Sequence, residues 1–212
     1  MIFHEFFRSS AAWRCRIAFN LKGLSPEFRS VDLLRREQAS PEHLALNPQG
    51  LVPVLEVDGQ ALNQSLAILE WLDETYPEPP LLPTDKMARA QVRAFALNIC
   101  CDIHPMQNLR VLNYLEAHFG ADKQAKNHWC AEWIRKGLEG CEKVACAQRH
   151  GGAFLFSDTP GLAEICLVPQ MASAARFKVD ISDLTRLAAV NAACMALDAF
   201  AAAQPERQPD FR

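Results

Sequence analysis

One proline-rich stretch, PEPPLLPTD at residues 77–85, constrains this chain more than any other feature. Proline fixes φ and lacks an N–H, so neither a helix interior nor a central strand runs through such a segment. Before it, short apolar runs alternate with helical patterns. Beyond it, strand signals nearly vanish. A chain divided in this way builds two unlike parts. Its 212 residues, half of them hydrophobic, suffice to give each part a core.

In the first part, IFHEF (Ile2–Phe6) has the pattern of a strand and WRCRIAFNLKG that of a helix ended by Gly23. EFRSVDL (Glu27–Leu33) is a second strand. PVLEV, the Asp58-Gly59 turn and QALNQ form a hairpin, and SLAILEWLDETYP follows as a helix stopped near Pro77. The expected order β-α-β-α-β-β-α is a small α/β domain with a mixed sheet, residues 1–77. Residues 78–85 are the expected linker and residues 86–212 an all-helical domain. Its helices cover MARAQVRAFALNICCDI, about 124–148, about 162–177 and a last one striped by Leu184, Leu187, Val190, Cys194, Leu197 and Ala201. Residues 205–212 form a polar tail.

Charge and cysteine content narrow the function. A net charge of -3 argues against a nucleic-acid partner. No apolar run approaches the ~18 residues of a membrane span, and MIFHEFFRSS lacks the pattern of a secretory signal. The eight cysteines contain no C-x-x-C pair and sit mostly among Ala, Leu and Val. They are expected to be reduced core residues of a cytoplasmic protein, with no metal site.

Three stretches carry chemistry. Ser9 and Ser10 stand just before a helix, where unsatisfied N–H groups carry partial positive charge; they fit an anion or thiolate donor and fit plain helix capping equally. Val52-Pro53 precedes a strand and leaves Val52 with a free N–H and C=O, either for an extended peptide or for a simple strand start. Gln64 and Ser65 open the next helix, with Ser65 its expected cap and the helix start a ready carboxylate site.

Taken together, RSSAAWRCRIAFNLKG, NPQGLVPVLEVDG, NQSLAILEWLDETYP, LLPTD, IHPMQNLRVL, LVPQMASAARFKVD and RQPD resemble the zeta-class glutathione transferases over essentially the whole length. That group includes the maleylacetoacetate and maleylpyruvate isomerases. The resemblance implies a thioredoxin-like first domain that binds glutathione and a helical second domain that supplies most of the second-substrate site. It implies that Ser9 donates a hydrogen bond to the glutathione sulfur, assisted by Ser10. Val52, with a cis Pro53, would pair with the cysteinyl backbone, and Gln64 and Ser65 would hold the γ-glutamyl end. Gln38, His104 and Asn108 would make further contacts. Arg8, Arg110 and Arg176 would grip the carboxylates of a keto dicarboxylate, with Arg8 and Arg176 also assisting the reaction. A homodimer is implied as well.

The energetics agree with that assignment. A thiol of pKa about 8.5 needs a shift of ~2 units, roughly 2.7 kcal/mol, to be mostly thiolate near neutral pH. A hydrogen bond to a charged acceptor gives roughly 1.5–3 kcal/mol and a helix start roughly 0.3–1 kcal/mol. The implied reaction is glutathione-dependent cis–trans isomerisation, with glutathione regenerated. Conjugation or dehalogenation of small halogenated acids, and non-catalytic ligand carriage, are the alternatives. Two stretches depart from the family pattern. Ala11 replaces the usual cysteine of S-S-C, which weighs against thiol exchange. Gly161 and Glu164 replace the usual Ser/Thr and Asp of a helix cap, with little effect expected on the fold. On a straight helix His104 and Asn108 share a face and Arg110 does not, but Pro105 should break or kink that helix.

Overall fold

The computed structural model describes residues 1–148 and 151–212. Two compact units emerge: Met1–Leu81 together with Ala196–Arg212, and Leu82–Met195. The first unit therefore includes a segment that sequence patterning assigned to the helical domain.

In the first unit, β1 (Ile2–Glu5) leads through a turn into α1 (Ser10–Leu21), followed by β2 (Glu27–Ser30) and α2 (Pro41–Leu46). β3 (Val54–Val57), β4 (Gln60–Asn63) and α3 (Ser65–Thr75) complete the expected order. The sheet runs β2-β1-β3-β4, with β1 parallel to β2 and antiparallel to β3, and β3 antiparallel to β4. Asp58 and Gly59 both have positive φ, as a two-residue hairpin turn demands. The second strand stops at Ser30, earlier than its apolar pattern implied, and every residue of it is exposed, because it lies at the sheet edge. Phe3 of β1 is fully buried and meets the rings of Phe19 and Phe28 edge-on.

Helix α1 starts at Ser10, before the Trp13 that its pattern indicated. It ends as expected at Gly23, whose φ of 64° suits the left-handed exit, with Leu24 N–H bonded to Phe19 C=O. Lys22 ties this end to the end of α3 by donating to Asp73, Tyr76 C=O and Pro79 C=O.

The second unit is helical: α4 (Lys86–Leu97), a π-helical turn (Asn98–Ile103), a 3-10 turn (His104–Gln107), α5 (Leu109–Phe119), α6 (Lys123–Ala147), α7 (Leu162–Arg176) and α8 (Thr185–Met195). Most of α7 is buried. The carboxylate of Glu164 accepts from the N–H of Gly161 and of Leu155, so glutamate fills the reciprocal half of the expected cap. Gly137 of α6 is required by packing, since an added Cβ would lie 2.2 Å from the Ile103 side chain.

The last striped helix is not continuous. Leu197 adopts an extended conformation after α8, and a short α9 (Asp198–Ala201) follows. The break falls where the chain leaves one compact unit for the other, and Phe200 and Ala203 become core residues of the first. Of the eight cysteines, Cys15, Cys130, Cys141, Cys166 and Cys194 are buried as expected, but Cys101 and Cys146 are exposed and Cys100 is half-buried. Burial pushes the Cys130 thiol up to about 11 and the Cys141 thiol up to about 12, which keeps both unreactive near neutral pH. No helix among the described residues is long and apolar enough to cross a membrane.

Candidate active site

The opening serines lie at a tight junction. Residues Phe6 to Ser9 make a turn closed by Ser9 N–H to Phe6 C=O at 2.8 Å. Ser9 then takes an extended conformation and caps α1, its Oγ accepting from Ala12 N–H at 3.3 Å. A hydroxyl that accepts still carries its own proton. Capping and donation to an anion are therefore compatible at Ser9. Ser10 is the first helical residue and is half-buried, as is Ala11. Arg8 is exposed, with its guanidinium over the Phe6 ring.

The Val52-Pro53 peptide is cis. Its approach is held by two side chains that both donate to Leu51 C=O: Asn47 Nδ2 and His43 Nε2, each at 2.9 Å. A carbonyl only accepts, so the proton of His43 sits on Nε2 in this arrangement. Asn47 also accepts from Gln49 N–H through its Oδ1. Gly50 has a φ of 61°, and a Cβ there would come 3.1 Å from Gln38 C=O. Gln38 itself is half-buried, and its Oε1 is shielded from solvent without a hydrogen-bond partner among the described residues.

The third stretch differs from its expected form. Gln64, not Ser65, is the capping residue of α3; it has a φ of 70° and makes no side-chain cap hydrogen bond. Ser65 is the first helical residue, is buried, and accepts from Arg14 Nη1 at 3.2 Å. The start of α3 is consequently left open, and an acceptor from outside the chain can complete it. Arg14 is 2% exposed, and its Nε and Nη2 have no partner among the described residues. Buried guanidinium donors of that kind favour a nearby anion or ordered water. Gln64 Nε2 reaches Gln49 Oε1 at 3.5 Å, which links the second stretch to the third.

The remaining candidate residues belong to the helical unit. His104 opens the 3-10 turn and is half-buried. The α-helix gives way at Asn98, ahead of Pro105, so the straight-helix geometry of His104 and Asn108 does not apply. Asn108 is the extended cap of α5, and its Oδ1 accepts from Arg110 N–H at 3.1 Å. Arg110 is exposed. Arg176, at the end of α7, is exposed with its guanidinium 4.7 Å from the centre of the Phe177 ring. Among the described residues no group of three or more His, Cys, Asp or Glu could hold a metal ion.

Residues 8–75 match the model of the glutathione S-transferase N-terminal domain. Over 99% of both chains, this chain is 48% identical to a maleylpyruvate isomerase of Ralstonia sp. The holo structure of a maleylpyruvate isomerase, a bacterial zeta-class glutathione transferase, is 47% identical and superposes with a TM-score of 0.98 over 100% of each chain. The chain belongs to the zeta-class glutathione transferases. The maleylacetoacetate isomerase of Methylobacterium extorquens AM1 with bound malonate and GSH is 36% identical with a TM-score of 0.96, again over 100% of each chain.

Within this zeta-class frame, three residues escaped the sequence reading. His43 and Asn47 brace Leu51, and Arg14 braces Ser65. The Asn-Pro pair at 47–48 was a turn signal that pointed to Asn47. Nothing local distinguishes Arg14 from Arg16, which shares its helix and its burial; only the contact with Ser65 does.

Proposed function

We propose that this zeta-class chain is a glutathione-dependent isomerase that converts a maleyl keto acid, maleylpyruvate or maleylacetoacetate, to its fumaryl form. It would act as a cytoplasmic homodimer in the breakdown of aromatic compounds. The observation that carries the reading is the start of α1, where Ser9 caps the helix and keeps a hydroxyl proton to donate. The residues fit glutathione. The open start of α3 with Arg14 behind Ser65 suits a carboxylate, and the shielded Gln38 Oε1 suits an ammonium or amide donor. Relatives named for this reaction, one of them with GSH and a dicarboxylate bound, support the same reading.

When bound, glutathione supplies a thiolate that adds reversibly to the cis double bond, so that the carbon–carbon bond becomes single, rotates, and is restored as trans. Ser9 donates to the sulfur and favours its charged form, with Ser10 assisting and the partial positive charge of α1 adding to the effect. Val52 offers its N–H and C=O to the cysteinyl backbone, and Gln64 and Ser65 hold the γ-glutamyl carboxylate. Gln38, His104 and Asn108 complete the binding set. Arg8, Arg110 and Arg176 receive the substrate carboxylates, and Arg8 and Arg176 stabilise the charge that moves onto the neighbouring ketone oxygen.

An absorbance assay of maleylpyruvate and maleylacetoacetate, with and without glutathione, tests this reading. Turnover that requires glutathione but leaves its concentration unchanged is the expected result. No turnover of either substrate would overturn it, and stoichiometric loss of glutathione would reassign the chain as a conjugating transferase.

A further inference from the structure

The turn that presents Ser9 is not held by the N-terminal residues alone. Phe7 and Arg8 are its two central residues, and the backbone of Phe7 has an N–H and a C=O that the turn does not use. Both are taken by side chains. Asp210 Oδ2 accepts the Phe7 N–H at 3.3 Å, and Arg16 Nη2 donates to Phe7 C=O at 2.8 Å. The same Asp210 oxygen accepts from Ser30 Oγ at 2.7 Å, and the Phe211 ring stands edge-on to the Phe7 ring at 5.6 Å. Arg16 also donates through Nε to Ala203 C=O at 3.0 Å and pairs with Glu5 at the end of β1. Arg16 and Glu5 are each 2% exposed. Nearby, Asn20 Nδ2 donates to Ala199 C=O and Arg212 pairs with Asp32. Phe7 is thus gripped on its N–H, its C=O and its ring by groups that belong to residues 203–211 or are anchored on them.

A surface tail docked only for stability would need no contact with the two peptide groups that set the turn. From this clamp we infer that residues 203–211, through Asp210 and through Arg16, position the Phe6–Ser9 turn and so aim the Ser9 hydroxyl at the glutathione sulfur. Asp210 and Arg16 are positioning residues, since neither is placed against substrate or cofactor. The inference rests on the proposed role of Ser9, and the experiment separates the two.

Asp210→Ala removes the acceptor of the Phe7 N–H, and Asp210→Asn keeps an acceptor oxygen in the same place. Three quantities are measured on the full chain: the thiol pKa of bound glutathione by ultraviolet absorbance, amide exchange of the Phe7–Ser9 turn without ligand, and kcat against KM for glutathione. With Asp210→Ala, the bound thiol pKa should rise by about half a unit or more. Turn amides should exchange faster, and kcat should fall roughly three- to tenfold with KM within about twofold. Asp210→Asn should restore most of the loss. Ser9→Ala is the parallel arm. If Ser9→Ala raises the bound thiol pKa and Asp210→Ala leaves it and the turn exchange unchanged, positioning is overturned while the role of Ser9 stands. A lowered melting temperature for Asp210→Ala with an unaltered thiol pKa overturns positioning in the same way. If Asp210→Ala fails to fold, Ser30→Ala, which frees Asp210 from its second donor, and Phe211→Ala carry the same readouts. No change in turn exchange or thiol pKa with either would also overturn the inference.

Discussion

Two helix starts in the first unit answer the same physical problem in opposite ways. Each exposes N–H groups that the helix itself cannot satisfy. At α1, Ser9 fills one of them with its own oxygen. At α3, Gln64 has a positive φ and makes no side-chain cap bond, and Ser65 turns its hydroxyl to the buried Arg14 instead. The first end is closed on itself and has one proton to spare. The second is left open and braced from beneath. A closed end that donates suits a thiolate, which needs a donor of fixed position. An open end suits a carboxylate, which can satisfy several N–H groups at once.

Breaking the closed end should have the largest effect. Ser9→Ala should lower kcat/KM by about 10- to 150-fold, the equivalent of a 1.5–3 kcal/mol hydrogen bond to a charged acceptor. It should also remove about 1 kcal/mol of stability with the lost cap, measured by urea denaturation. The open end should respond differently. Ser65→Ala strips Arg14 of its Nη1 acceptor and should reduce stability by about 1–3 kcal/mol. Replacing both, as Arg14→Met with Ser65→Ala, should recover part of that loss, and a double-mutant cycle measures the coupling.

The surroundings of the closed end should also make stability depend on pH. Behind α1, burial raises the Glu5 carboxyl to about 7 from 4.5, against the opposing charge of Arg16 and with Asp210 adding to the rise. Burial lowers Arg16 as well, so desolvation outweighs pairing at both partners. A raised carboxyl binds more protons folded than unfolded, so its contribution is complete below about pH 4.5 and declines until about pH 7. Thermal melts of Glu5→Gln should lose that slope. The smallest effect belongs to Gln64→Ala. With no cap bond to lose, its stability should stay within about 0.5 kcal/mol of the parent. Glutathione affinity, read by calorimetry, should still weaken about tenfold or less, as for one lost polar contact.

Much of this was legible because it is local. The hairpin is written in Asp58-Gly59 and the helix exit in Gly23. Ser9 and the Val52-Pro53 junction stand where the motifs place them. Misreadings arose where distant partners decide. Ser65 looks like a cap until Arg14 claims its hydroxyl. The last striped helix looks continuous because Leu197 and Ala201 keep its spacing, yet Phe200 buries itself in the other unit and the chain breaks to reach it. The helix break expected at Pro105 comes earlier, at Asn98, where a π-helical turn precedes the proline. The pairing of Asp210 with a backbone N–H 203 residues away leaves no mark in local pattern.

The return of Ala196–Arg212 to the first unit has a consequence for how the protein is made. Residues 82–195, 114 positions (195 − 82 + 1), must be translated between the sheet and the segment that completes its unit. At about 5–20 residues per second that interval lasts about 6 to 23 s. Throughout it, the partners of Phe7 in this segment do not yet exist outside the ribosome. A nascent chain can form its sheet early, but the turn that presents Ser9 lacks its Asp210 partner until that segment has emerged.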